Sequence, residues 1–142
     1  MRIVLDTNVL ISGILNPDGN PGKILGLLIN EQIRLVTDSR VSDEYHRVLK
    51  RPRFRLTDSE VSVLMDFIDS VSDEVVTGPS TLTANDPDDQ KFLEVAQTAQ
   101  ADYLVTGNLA DFPVSEATGF SIVSPADFIR VWIEYQTKKS GD

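Results

Sequence analysis

Asp6, Glu44, Asp89 and Asp111 stand far apart in the chain, yet each occupies a position from which a carboxylate can do chemistry. Asp6 directly follows the apolar run Ile3-Val4-Leu5, and Asp111 follows Tyr103-Leu104-Val105 through the turn Thr106-Gly107-Asn108. Asp89 precedes Phe92 and Leu93 by one helical turn, on the face continued by Ala96 and Ala99. Glu44 flanks the stripe Val41, Tyr45, Val48 and Leu49, whereas Asp43 points nearly the opposite way at about 100° per residue. Carboxylates that converge repel one another and at neutral pH need protons or cations between them. An all-oxygen donor set suits Mg²⁺ or Mn²⁺ rather than zinc.

Each acid also has an ordinary use. Asp6 can be the N-cap of the helix that follows it, and both readings stand open. Glu44 can pair with Lys50 or a nearby arginine. Asp86 and Pro87 suit the N-cap and first helical positions, which puts Asp89 at the third, where an acid is favoured by the helix dipole. Asp88 is its more exposed neighbour. Asp111 taken alone is a loop aspartate. The spacing of all four, three of them after strands or opening helices and the fourth bordering a buried face, carries the argument.

Composition closes several other routes. The chain has no cysteine, which removes disulfides, thiolate nucleophiles and cysteine-ligated zinc and suits a reducing, cytoplasmic setting. His46 is the one histidine, so a His-rich metal site is excluded and a Ser-His-Asp triad disfavoured; the residue falls off the apolar face, at the surface. The net charge of −9 argues mildly against a partner held by bulk electrostatics, such as nucleic acid. Yet five of the 13 Lys and Arg residues are Arg47, Lys50, Arg51, Arg53 and Arg55. Such a run is commonly a solvated face, and it is also the one place where a phosphate backbone could be held.

The elements that must position these residues alternate. Apolar runs predict strands at Ile3–Leu5, Ile33–Val36, 74–77, Tyr103–Thr106 and Phe120–Val123. Helices are expected over 9–15, 23–29, 40–50, from the capping signature Thr57-Asp58-Ser59-Glu60 to about Val71, from Asp86 to about Gln100, and over 125–135. This pattern predicts a three-layer α/β/α sandwich around a central, mainly parallel sheet, in one domain over residues 1–136 with a disordered tail at 137–142. Such sheets bind ligands at the carboxyl ends of their strands. No stretch is long and apolar enough to span a membrane, and Met1–Leu5 reads as a first strand rather than a signal peptide.

With these residues in view, the chain resembles the PIN-domain nucleases, a family that includes many bacterial and archaeal toxin ribonucleases. The resemblance rests on Ile3-Val4-Leu5-Asp6-Thr7-Asn8-Val9, on Ser42-Asp43-Glu44-Tyr45 with Val48-Leu49, on Asp86-Pro87-Asp88-Asp89-Gln90-Lys91-Phe92-Leu93 with Ala96, and on Leu104-Val105-Thr106-Gly107-Asn108 with Asp111-Phe112. It covers nearly the whole chain, and the family's four acidic positions fall on the four acids above. It implies cleavage of single-stranded RNA with one or two Mg²⁺ or Mn²⁺ ions. Asp6, Asp89 and Asp111 would ligate metal, and Glu44 would ligate or orient the attacking water. Thr7, Asn8, Thr106 and Asn108 would support these acids, and Arg47, Lys50, Arg51 and Arg53 would contact RNA. A small antitoxin and a homodimer are the partners that the resemblance implies.

Rival readings remain. A haloacid-dehalogenase-like phosphatase also places an Asp after its first strand but wants a second two residues later, where this chain has Asn8. A receiver-like signalling module wants a lysine after a late strand, and Thr106-Gly107-Asn108-Leu109 offers none. A catalytically silent PIN-like module that binds RNA or protein is the non-enzymatic alternative, disfavoured by four intact acids.

Overall fold

Ile3, Val4 and Leu5 are fully buried, as a strand covered on both faces requires, and they form the middle of the molecule. The computed structural model describes residues 1–117 and 119–140. Its five-stranded sheet runs in the order β3-β2-β1-β4-β5, built from β1 (Arg2–Leu5), β2 (Arg34–Thr37), β3 (Ser72–Glu74), β4 (Tyr103–Val105) and β5 (Ser121–Val123). All neighbouring pairs are parallel. The helices are α1 (Thr7–Leu15), α2 (Asn20–Ile29), α3 (Ser39–Leu49), α4 (Asp58–Ser70), α5 (Gln90–Thr98) and α6 (Pro125–Ser140). They give the three-layer α/β/α architecture expected from the alternation of elements.

Strand order explains where a ligand can sit. From β1 the chain steps to β2 and β3 on one side, then returns across the sheet to β4 on the other. Right-handed crossovers stepping in opposite directions place their helices on opposite faces and open a crevice between β1 and β4 at the carboxyl ends. Asp6 sits at that point, with its N–H bonded to Val105 O at 2.9 Å. The fully buried Tyr45 of α3 donates its hydroxyl to Leu5 O at 2.6 Å, fixing α3 to the last residue before Asp6. Phe92 of α5 and Phe128 of α6 are likewise fully buried, and the Phe128 ring meets that of Tyr103 edge-on at 5.5 Å.

Local signals placed most elements. The capping box forms as expected, with Thr57 and Glu60 each holding the other's backbone N–H. β3 differs: it covers Ser72–Glu74, not 74–77, because its register is set by pairing with Leu35–Thr37. Val75 adds one more bond to Thr37 O, and Val76 turns out to solvent at 97% exposure. The tail also differs. α6 continues to Ser140, well past the end expected near Tyr135, while Gly141 and Asp142 lie outside the described residues. No Gly or Pro interrupts it after Pro125, Lys138 and Lys139 complement the negative end of the helix dipole, and the Thr137 and Ser140 hydroxyls donate back to Ile133 O and Gln136 O. Among the described residues no helix is long and apolar enough to cross a membrane.

Candidate active site

Asp6 occupies the N-cap position of α1 but makes no side-chain cap bond there. Its carboxylate instead accepts from Thr106 Oγ1 at 2.8 Å, across the β1–β4 crevice, and the residue is only 7% exposed. Burial raises its pKa, and the charges of Glu44 and Asp111 push the same way against hydrogen bonds from Thr106 and the Thr7 N–H. The side chain thus turns away from the capping role and toward Thr106 across the crevice.

Asp89 ends the 3₁₀ turn Pro87–Asp89 that leads into α5. Asp86 caps that turn by accepting from the Asp88 N–H at 3.0 Å, which frees Asp89 from the capping role. Burial pushes the Asp89 pKa up to about 6, helped by the charges of Asp6, Asp86 and Asp111 and opposed by Lys91. Asp111 ends a second 3₁₀ turn, Leu109–Asp111, where its carboxylate accepts from Asn108 Nδ2 at 2.5 Å. The Asn108 N–H in turn donates to Thr106 Oγ1 at 3.0 Å, so one short relay links Asp111 to Asp6 through Asn108 and Thr106.

Glu44 is held differently. Thr7 Oγ1 donates to its Oε2, Lys91 Nζ lies 2.8 Å from Oε1, and Arg47 Nη2 lies 3.6 Å from the same oxygen. An ion pair for Glu44 was one of the readings open from sequence, with Lys50 or an arginine as partner; its nearest partner is Lys91. That lysine was not among the residues picked from sequence. In the pattern Gln90-Lys91-Phe92 it reads as a solvated helix position, and its one signal was a place two residues after Asp89.

A cleft of about 400 Å³ gathers Asp6, Thr7, Asn8, Glu44, Arg47, Val48, Arg51, Asp88, Asp89 and Lys91. Asp111 is not part of its lining and meets Asp6 and Asp89 through charge. The basic run divides: Arg47 and Arg51 face the cleft, Lys50 is exposed elsewhere, and Arg53 lies over the Phe54 ring at 4.8 Å. His46 is exposed and does not line the cleft.

Among the described residues no group of three or more acids or histidines is drawn close enough to hold a metal ion as it stands. The donor chemistry nevertheless fits a hard divalent cation: only oxygens are offered, the charges of Asp6 and Asp111 push the Asp89 pKa up, and those of Glu44 and Asp111 push up that of Asp6, a repulsion a cation would relieve. Closer approach of Asp6, Asp89 and Asp111 would be needed to complete a shell.

A family profile for the PIN domain matches residues 2–110, which takes in Asp6, Glu44 and Asp89 and stops one residue before Asp111. An uncharacterized protein of Methanocaldococcus jannaschii is 34% identical over 113 residues, covering 76% of this chain and 71% of the relative. A crystal structure of VapBC2 from Rickettsia felis, bound to a DNA fragment from their promoter, is similar in fold. It has a TM-score of 0.54 at 15% identity, covering 87% of this chain and 98% of that one.

Proposed function

The chain belongs to the PIN-domain family, and from that premise we propose that it is a metal-dependent endoribonuclease acting on single-stranded RNA. PIN domains are generally nucleases. The observation that carries the proposal is the pair Asp6 and Asp89. Both line the cleft at the carboxyl edge of the sheet, each is pushed up in pKa chiefly by burial and further by neighbouring acids, and neither makes a side-chain cap bond or a salt bridge among the described residues. Keeping such acids apart from cations costs stability, and that cost suits a site meant to receive one.

Asp6, Asp89 and Asp111 would hold Mg²⁺ or Mn²⁺. When bound, the ion would lower the pKa of a water and neutralise charge on the phosphate during in-line displacement. Thr106 fixes the Asp6 carboxylate, and Asn108 orients Asp111. Thr7 holds one oxygen of Glu44, so this acid faces the cleft in a set rotamer, ready to orient water or to ligate. Asn8, exposed at the lip, offers an amide to substrate. Arg47 and Arg51 line the same cleft and are placed to meet phosphate oxygens, with Lys50 and Arg53 extending the basic surface outward.

For partners we propose a small antitoxin protein and a second copy of this chain. The likeness to a VapBC2 complex supports the first. An apolar groove of about 580 Å³ along α1, α2 and α4, with Ile29 60% exposed, is surface of the kind proteins bury against one another.

Purified protein should cut unstructured RNA with Mn²⁺ or Mg²⁺ and stop with EDTA. Asp6→Asn and Asp89→Asn should each remove nearly all cleavage with the fold kept, and near-normal rates in both variants would defeat the assignment. Replacing Arg51 and Arg53 by Gln should weaken RNA binding and reduce its salt dependence; unchanged binding returns that run to plain solvated surface. The engagement of Glu44 by Lys91, with no ligand group drawn together among the described residues, favours one rival, a silent PIN-like module. It predicts RNA that is bound but never cut, with either metal.

A further inference from the structure

We propose that Lys91 is a positioning residue acting through Glu44: it withholds Glu44 from the metal-ligating acids and keeps it as the acid that faces water. The proposal rests on the nuclease reading above and divides that site's four acids into three ligands and one held apart. Three observations carry it. Both Glu44 oxygens are already engaged, Oε2 by the Thr7 hydroxyl and Oε1 by Lys91 Nζ at 2.8 Å. Lys91 is itself anchored, since its Nζ also donates to Asp88 O and lies 5.2 Å from the centre of the Phe92 ring, with its side chain 15% exposed. By contrast, among the described residues no salt bridge engages Asp6 or Asp89, and the charge of Asp6 pushes the Asp89 pKa up.

The ammonium does two things at once. A divalent ion on either Glu44 oxygen would sit within a few ångströms of a fixed positive charge, which in a partly buried cleft is strongly unfavourable. A carboxylate has about four lone-pair positions, so two engaged by protein still leave sites for a water. Lys91 also ties α3, through Glu44, to the turn that carries Asp89, and so sets the distance between the two acids across the cleft. A lysine fixed on an acid between two elements is more than a solvated helix charge.

Mn²⁺ binding to the purified full chain, measured by calorimetry without RNA, tests this. Glu44→Gln should leave the affinity within about threefold of the unaltered protein, because Glu44 is not a ligand. Lys91→Gln should tighten binding about tenfold by releasing Glu44 into the metal set, comparable in size and opposite in sign to the losses that follow when a group supporting a metal ligand is removed. In the Glu44→Gln background the same Lys91→Gln change should have at least a threefold smaller effect, and Lys91→Arg should restore the original affinity. Thermal melts of each variant establish that the fold is kept. A tenfold or greater loss of affinity in Glu44→Gln alone, or an equal Lys91→Gln effect in both backgrounds, overturns the proposal. A folded, unaltered protein that takes up no Mn²⁺ overturns the metal-dependent reading itself and this inference with it.

Discussion

Asp6 and Asp38 begin as the same local pattern: each follows a central strand, precedes a helix, and is buried at the carboxyl edge of the sheet, at 7% and 3% exposure. Their surroundings are opposite. Asp38 caps α3 by accepting from the Val41 N–H at 2.9 Å and also receives Arg40 Nε at 3.0 Å, Arg40 Nη2 at 2.8 Å and Thr77 Oγ1 at 2.6 Å. Burial alone would raise its pKa, but these hydrogen bonds and the Arg40 charge outweigh burial and lower it. Asp6 has Thr106 and the Thr7 N–H, then faces Glu44 and Asp111, and its pKa is raised. Two residues after Asp38 stands Arg40; two residues after Asp6 stands Asn8. The difference separates an acid whose charge is met by Arg40 from one that faces other acids.

The most damaging test of that contrast is Asp38→Ala. It strands the Val41 N–H, the Thr77 hydroxyl and one side of Arg40, and should cost about 2 to 3 kcal/mol in denaturant unfolding. RNA cleavage well below the melting temperature should be unchanged. A loss under about 0.5 kcal/mol, the size typical of solvated surface positions, would show that Asp38 does not hold the fold.

Asp89 sharpens the comparison from the other side. Its pKa in the folded protein, about 6, lies above the ordinary 3.8, so the folded state binds this proton more tightly than the unfolded chain. Without metal, stability through this group is therefore greatest below pH 3.8 and is lost as pH rises through 6. Asp89→Asn removes the penalty and should stabilise the metal-free protein by about 1 kcal/mol at pH 7.5, after allowance for screening at a partly exposed group. Near pH 4 the variant and the unaltered protein should melt together. Destabilisation at pH 7.5 would show that Asp89 is a structural acid like Asp38.

This pairing explains what was legible in the sequence. Strand ends and helix starts are local patterns, so spacing alone placed Asp6, Asp89 and Asp111 at one edge, whereas the supporting roles of Thr106 and Asn108 came from the family resemblance. What periodicity cannot carry is a pairing between elements. Lys91 on Glu44, Arg40 on Glu94 and Thr77 on Asp38 all join residues whose neighbours in sequence say nothing of each other. The register of β3 was missed for the same reason, being decided by β2 rather than by Val75 and Val76. The end of α6 was missed because a polar run after Tyr135 looks unstructured, although its hydroxyls and lysines satisfy the last turn.

The smallest expected effect distinguishes the two acids most finely, through a matched pair of threonines. Thr77 and Thr106 each donate a hydroxyl hydrogen bond to a buried carboxylate, Asp38 and Asp6 respectively. At pH 7.5 both Thr77→Val and Thr106→Val remove one such bond, and each should cost about 1 kcal/mol. The costs should then part as pH falls. Asp38, with its lowered pKa, stays ionised at pH 5, so the cost of Thr77→Val should not change over that range. Asp6, with its raised pKa, takes up its proton earlier, and losing the Thr106 donor raises that pKa further. A protonated carboxyl needs the donated bond less than a carboxylate does, so the cost of Thr106→Val should shrink on acidification. Unfolding curves for both variants at pH 7.5 and pH 5 make the measurement. Parallel behaviour would mean that the two acids are held alike and that the cleft keeps no unneutralised charge for a metal to meet.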